Sequence, residues 1–227
     1  MIDLALARRR VRALYRHDRR GRMVSVNEWS AGAPPKFFMM RTAWGAIARV
    51  SAGVPDDPAA ELIALAAAEP LADPPYETPR SLARYLALLN AASFRAGPAF
   101  VFTREPPPAP DAVTINEHNA ELLRGGFEAW LPDVGRRGPF VAIIVEGRAV
   151  SLCASVRITP FVHCAGVETL PAFRRQGHGA RVASAWARAV RRLGATPFYS
   201  TSWDNLASRA VARRLGLELA GVDFQVA

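Results

Sequence analysis

FRRQGHGARVASAW, residues 173–186, joins two arginines, a glutamine and two closely spaced glycines to the opening of a helix. VETL (167–170) before it is strand-like, and Val182, Trp186, Ala189 and Leu193 behind it recur at helical spacing, predicting a helix from 178 to 193. The first N–H groups of a helix have no partners within it, and the helix dipole places partial positive charge on them. Gly177 and Gly179 remove side chains that would hold an anion away from those groups, and Arg174 and Arg175 add charge at the mouth. A P-loop would need Gly-Lys followed by Ser or Thr, and no lysine is present here. A dinucleotide fingerprint would need a third glycine, which Ser184 and its neighbours do not supply, and an acidic residue further on. What remains is Arg-x-x-Gly-x-Gly, which fits a diphosphate or a strand-to-helix turn that needs small residues. Taken alone, the motif leaves both open.

Outward from this stretch, PFVAIIVEG, RAVSLCASVRI and PFVHCAGVETL read as strands. Glu-Gly-Arg at 146–148 reads as the turn that pairs the first two antiparallel. PFYSTSW (197–203) reads as a further strand and DNLASRAVARRLG as a second helix, with Ala207, Val211 and Leu215 inward and Gly216 ending it. LELAGVDFQVA reads as one or two edge strands. NEHNAELLRGGFEAWL reads as a helix with Leu123, Phe127 and Trp130 on one stripe.

The proline run REPPPAPDA (104–112) suits neither helix nor strand and marks a boundary. Before it, HDRRGRMVSVNEW and KFFMMRTAWGAIARV read as short strands. A helix follows with Asp57 as its cap, Pro58 in its first turn and Pro70 closing it. ETPRSLARYLALL predicts another, capped by Thr78, with Pro79 at its first position and Leu82, Leu86 and Leu89 on one face. Nothing in residues 1–103 forms a chemical constellation.

VETLPAFRRQGHGARV, the helix after it, PFYSTSW and DNLASRAVARRLGL together resemble, in order and spacing, the GCN5-related N-acetyltransferases over residues 112–227. The resemblance implies a mixed α/β (α+β) fold: a mostly antiparallel twisted sheet with a splayed parallel strand pair and helices on both faces. It divides the chain into an N-terminal α+β region (1–108), structural or substrate-shaping and possible as a degenerate copy of the fold, and an acetyltransferase domain (109–227). It implies acetyl-CoA as acyl donor, with the diphosphate on Arg174, Arg175, Gln176, Gly177, His178, Gly179 and Ala180. The main chain of Glu168, Thr169 and Leu170 is expected to bond the pantetheine between the splayed strands, and Asn205 and Ser208 to lie beside it. The acetyl group would pass directly to a primary amine of a small molecule or protein in a ternary complex. Many family members place a tyrosine seven residues after the Asn of the second helix to protonate the leaving thiolate. Here that position is Ala212. His163, Glu168 and Tyr199 are the substitutes considered for catalysis, with Ser200, Ser202 and Asp204 nearby. Each also has a structural reading: His163 as a surface strand residue, Glu168 as a hydrogen-bond partner, Tyr199 as packing and Asp204 as a helix cap.

Composition sets the alternatives. Of 227 residues, 50% are hydrophobic and 22% charged, which is globular rather than disordered composition. No apolar run reaches the roughly 20 residues of a membrane span. Cys153 and Cys164 make no metal-ligand spacing, so no metal site is expected and a reduced buried pair is the simple reading. The order of charge and apolarity at the N-terminus is the reverse of a secretory signal, favouring a cytoplasmic protein. The net charge of +9, arginine-rich with Lys36 the single lysine, attracts nucleic acid or a small polyanion equally. The arginine arm of residues 8–22 also carries Val11, Leu14 and Tyr15 at helical spacing, so a docked amphipathic helix explains it, and nucleic acid is the less favoured partner. The other alternative is a CoA-binding module without catalysis. A homodimer is compatible with the family and is not decided by any sequence feature.

Overall fold

The computed structural model describes residues 2–71, 78–136 and 138–227. In chain order, α1 (Leu4–Leu14) runs into β1 (Tyr15–His17), β2 (Met23–Val26), β3 (Phe37–Thr42) and β4 (Gly45–Val50). Next come α2 (Asp56–Ala67), α3 (Leu82–Leu88), β5 (Arg95–Val101) and β6 (Ala112–Thr114). They are followed by β7 (Phe140–Val145), β8 (Arg148–Ile158), β9 (Val162–Thr169), α4 (His178–Arg192), β10 (Thr196–Ser200), α5 (Leu206–Arg214) and β11 (Glu218–Val226). Contacts gather these into two units: one of residues 1–100, 200–206 and 219–227, the other of 101–199 and 207–218. Among the described residues no helix is long and apolar enough to cross a membrane.

In the first unit the strand order is β4-β3-β11-β5. One sheet face packs α2 and α3 through Phe37, Met39, Leu62, Tyr85 and Phe224, all fully buried. The other face takes α1, whose Val11, Leu14 and the following Tyr15 are buried as the helical spacing predicted. β11, expected at an edge, instead lies between β3 and β5, in antiparallel register with β3 from Val222↔Arg41 to Val226↔Phe37. Its Phe224 and Val226 belong in the core, which an edge position would have left half open.

Two helix starts differ from expectation. α2 begins at Asp56, two residues earlier than a cap at Asp57 allows, with Pro55 before it and no side-chain cap. α3 begins at Leu82 rather than at Pro79, and Thr78 does not cap it. The carboxylate of Glu69 does so from a distance, accepting from the N–H groups of Arg80 (2.8 Å) and Ser81 (2.9 Å) and from the Tyr85 hydroxyl. Glu77, at the head of the stretch read as that helix, lies outside the described residues.

The second unit holds the order β10-β9-β8-β7-β6. β7 and β8 pair antiparallel through Glu146-Gly147, both at positive φ (49° and 77°), the tight turn that Glu-Gly-Arg predicted. β8 and β9 are antiparallel and β9 and β10 parallel, so the sheet is mixed and mostly antiparallel. α4 covers one face. The other face is covered by the segment expected to be one helix over 116–131, which is instead two short 3-10 turns, Ala120–Leu123 and Glu128–Asp133. Gly125 (φ 90°) and Gly126 (φ 145°) break the helix between them. Leu123 and Phe127 still pack on Phe140, Ala142, Leu152 and Ala154 as the stripe required.

Candidate active site

The strand before the glycine loop is the first part of the site. β9 pairs with β10 only from Val162↔Thr196 to Cys164↔Phe198, although β9 runs on to Thr169. On its other side β9 stays paired to β8 as far as Ser151↔Thr169. The Leu170 N–H bonds Val150 O at 3.0 Å. Main-chain groups alternate between the two edges of a strand, so Glu168 also turns its N–H and C=O to β8. Val167 and Thr169 turn theirs to the edge that β10 has left. Of the three residues expected to offer main chain to a ligand, Thr169 turns its groups to the unpaired edge, while Glu168 and Leu170 turn theirs to β8. Val167 also faces the unpaired edge, and only the register could reveal it.

The loop is built as the motif suggested. Arg175 (φ 64°) and Gly177 (φ 83°) are both left-handed, and Gly177 precedes α4 without any side chain capping the helix. The first-turn N–H groups of His178, Gly179 and Ala180 therefore have no side-chain partner, the condition an anion needs. A Cβ on Gly177 would lie 3.2–3.3 Å from the guanidinium of Arg214, at the end of α5. Arg214 thus stands over the loop, a cation that the sequence alone did not place there. A Cβ on Gly179 would touch Thr169 Oγ1 and Val211 at 3.5 Å, so α4, α5 and the end of β9 converge at this glycine.

The side chains of the loop mostly brace it. Arg174 Nε donates to Thr169 O (3.2 Å), and Gln176 Nε2 donates to Ala172 O (3.3 Å). Arg181 Nη2 lies 3.1 Å from His178 Nδ1, and His178 Nε2 lies 3.2 Å from Gln176 Oε1. Arginine is only a donor, so Nδ1 accepts and Nε2–H donates. Burial, then Arg181, lowers the His178 pKa, against a raising effect of Asp111, which pairs with Arg181 at 2.5 Å. His178 is a neutral strut between Gln176 and Arg181.

The catalytic candidates take up three different positions. Glu168 is exposed, and its Oε2 accepts from Trp130 Nε1 at 2.8 Å. The indole reaches it across Gly166, where a Cβ would fall 2.9 Å from the Trp130 ring. Tyr199 is buried on β10, its hydroxyl 2.6 Å from Ser208 Oγ on α5. Burial raises its pKa to about 12. His163 is not a surface residue: it is buried, with Nδ1 2.8 Å from Ser155 Oγ, which also accepts from Trp186 Nε1 on α4 at 3.0 Å. Burial lowers its pKa. His163 pairs opposite Pro197, and alternation along β10 puts Tyr199 on that same α4 face. Glu168 lies on the opposite face with Trp130. The open edge of β9 therefore runs between a carboxylate on one side and a phenol on the other, while His163 lies back in the paired part of the strand. Asn205 precedes α5, its N–H on Ser202 O at 3.3 Å, and Ala212 is buried. Both cysteines are buried, and no disulfide joins them. Among the described residues no cluster of His, Cys, Asp or Glu could hold a metal ion.

Residues 143–225 match the family model of FR47-like proteins. A search of curated proteins found no match. Among solved structures, one from Novosphingobium aromaticivorans named for the GNAT acetyltransferase family is similar at 18% identity and TM-score 0.51, over 59% of this chain and 64% of that one. A GNAT-family acetyltransferase from Colwellia psychrerythraea follows at 17% identity and TM-score 0.48, over 63% and 62%. A GCN5-related N-acetyltransferase-like protein from Streptococcus suis aligns at 16% identity and TM-score 0.49, over 85% and 84%. The chain thus spans less than two thirds of the length of the first two.

Proposed function

We propose that this chain, which resembles the GCN5-related N-acetyltransferases and matches the FR47-like model over residues 143–225, is an acyl-CoA-dependent N-acetyltransferase that moves an acetyl group from acetyl-CoA directly to a primary amine. The observation that carries this reading is the coincidence of an uncapped α4 N-terminus at Gly177 with an unpaired stretch of β9 leading to it. The N–H groups of residues 178–180 and the guanidiniums of Arg175 and Arg214 suit the diphosphate. The Val167 and Thr169 main chain suits the amides of the pantetheine arm, which would complete β9 as a strand does. A main-chain N–H directed at the thioester oxygen would stabilise the charge that develops there, an effect worth roughly 3 kcal/mol in other acyl transfers. Asn205 and Ser208 remain proposed neighbours of the arm.

An amine must lose a proton to attack. Glu168, held by Trp130 on one face of the open edge, is the proposed base, acting directly or through water. Tyr199 keeps its proton at neutral pH because burial raises its pKa, and from the other face it can donate to the departing sulfur, standing in for the tyrosine that Ala212 lacks. His163 is the third candidate, and its bond to Ser155 supports a structural role over a catalytic one. The acceptor is a small-molecule or protein amine. The N-terminal region (1–108) is proposed to support or shape the substrate site of the acetyltransferase region (109–227), and two cysteines in the reduced state suit a cytoplasmic location.

Calorimetric titration with acetyl-CoA of the natural protein and of Gly177→Glu tests the reading. Binding weakened at least about tenfold in the variant supports the loop assignment. No binding by the natural protein overturns the transferase reading. Binding without turnover on any of a panel of amines would favour the catalytically silent module, which the buried Ala212 also suits.

A further inference from the structure

A basic cluster on the first unit is left unused by this chemistry. β4 pairs with β3 so that Arg49 lies opposite Phe38. Residues opposite each other share a sheet face. Phe38 meets the ring of Tyr15 edge to face at 5.2 Å, so Arg49 emerges on the face that α1 and β1 cover. On α1, Arg8 and Arg12 are one turn apart and both exposed. Like charges at that spacing disfavour the helix. Arg49 is half-buried and fixed, its Nη1 donating to Ala48 O at 2.7 Å. Burial first, then Arg12 and Arg8, lower its pKa, so both α1 guanidiniums act on that of Arg49. His17 adjoins them, with Nε2 buried and without a hydrogen-bond partner.

Several carboxylates of this unit are engaged elsewhere, while Asp18 acts on His17. Asp56 pairs with Arg20 and Arg22, Glu61 with Arg84 and Asp223 with Arg10. Asp18 turns Oδ1 to the amides of Arg20 and Arg22. Among the described residues no carboxylate pairs with Arg8, Arg12 or Arg49. A chain that gathers three cations on one face, one of them partly desolvated, and gives them no acid has built a demand for an anion.

We propose that Arg8, Arg12 and Arg49 form a receptor for one phosphate group, made of residues other than those of the 174–180 loop. A phosphate dianion offers several acceptor oxygens and enough charge to relieve all three guanidiniums, whose forked donors match it. A nucleic-acid track would need cations continuing along the surface; Arg20 and Arg22 are spent on Asp56, and the exposed Arg16 and Arg19 are the cations such a track would have to use. The phosphate belongs to a soluble phosphomonoester or to a lipid headgroup, and the chemistry of the site is the same for both.

The test is an NMR titration of the full chain with inorganic phosphate, following the backbone amides of residues 8–17 and 45–50. A saturable shift there is expected, roughly tenfold weaker in Arg12→Gln. Without phosphate at low salt, Arg12→Gln should melt higher than the natural protein, because it removes repulsion. With phosphate it should gain less in Tm, because ligand binding stabilises only the intact site. An arginine that merely supports the fold would give a lower Tm in both conditions. Vesicles containing phosphatidic acid, set against soluble phosphate, distinguish the two sources, and binding of either supports the site. Shifts confined to the 174–180 loop, or a titration unchanged in Arg12→Gln, would overturn the proposal. So would a single-stranded oligonucleotide that binds with a steep salt dependence while phosphate fails to saturate, which would make the face a nucleic-acid surface.

Discussion

Ser155 shows how a single hydroxyl fixes the role of a residue that the sequence offered as catalytic. Its oxygen accepts from Trp186 Nε1 and lies 2.8 Å from His163 Nδ1, so one hydroxyl holds both rings, and burial favours the neutral imidazole. Ser155→Ala leaves two buried groups without partners and should destabilise the protein by about 2–3 kcal/mol in urea unfolding, without weakening acetyl-CoA binding. Because the folded protein holds the His163 pKa below its ordinary 6.5, the unfolded chain binds the proton more readily. The stability His163 contributes is present above 6.5 and lost as pH falls through its depressed folded value, and His163→Gln should flatten that acid limb. Tyr199 has the opposite sign. Its pKa is raised by burial from 10.0 to about 12, so its contribution is present below pH 10.0 and lost as pH rises toward about 12. Tyr199→Phe should remove that alkaline sensitivity in a pH series of thermal melts.

Within elements, the glycines of one motif have different duties. Gly177 must be left-handed, and any side chain there presses on Arg214. Gly179 is inside α4, and a methyl there finds only ordinary contacts at 3.5 Å. Gly179→Ala should therefore leave the protein as stable or up to about 1 kcal/mol more stable, since glycine is the poorer helix residue. It should nonetheless weaken acetyl-CoA binding by narrowing the approach to the first-turn N–H groups. Melting temperature and affinity moving in opposite directions would be the signature of a ligand-facing glycine; a parallel change in both would indicate packing alone. Gly126 is a third case. At φ 145° it breaks the predicted helix, and a Cβ there would lie 2.6 Å from Leu170 Cδ2. The periodicity of Leu123, Phe127 and Trp130 was legible and did mark an inward face. The element was not a helix, because two successive glycines lower helix propensity and here take conformations a helix excludes.

At the scale of the molecule, the first unit is assembled from both ends of the chain. Arg10 on α1, fully buried, makes a two-pronged ion pair with Asp223 on β11, at 2.7 and 2.6 Å. Removing Arg10 leaves the largely buried Asp223 carboxylate, 20% exposed, without its partner. Arg10→Met should cost about 3–5 kcal/mol in denaturant unfolding, and Arg10→Met with Asp223→Leu should recover much of that loss. If the double variant is no better than the single one, the pair is not what fixes α1 to the sheet.

The sequence by itself determined the local events: the glycine loop before α4, the Glu146-Gly147 hairpin, the amphipathic α1 and the order of strands and helices that resembles an acetyltransferase. These depend on backbone preference and on short-range periodicity, which a linear string records. Tertiary structure decided what depends on partners far along the chain. It put β11 inside a sheet rather than at its edge, capped α3 with Glu69, drew His163 under Trp186 and brought Arg214 over Gly177. It also set the register by which Val167 and Thr169, and not Glu168 or Leu170, face the open edge of β9. A slip of one residue would exchange those two sets, and only the bonds to β8 fix which of them a ligand can reach.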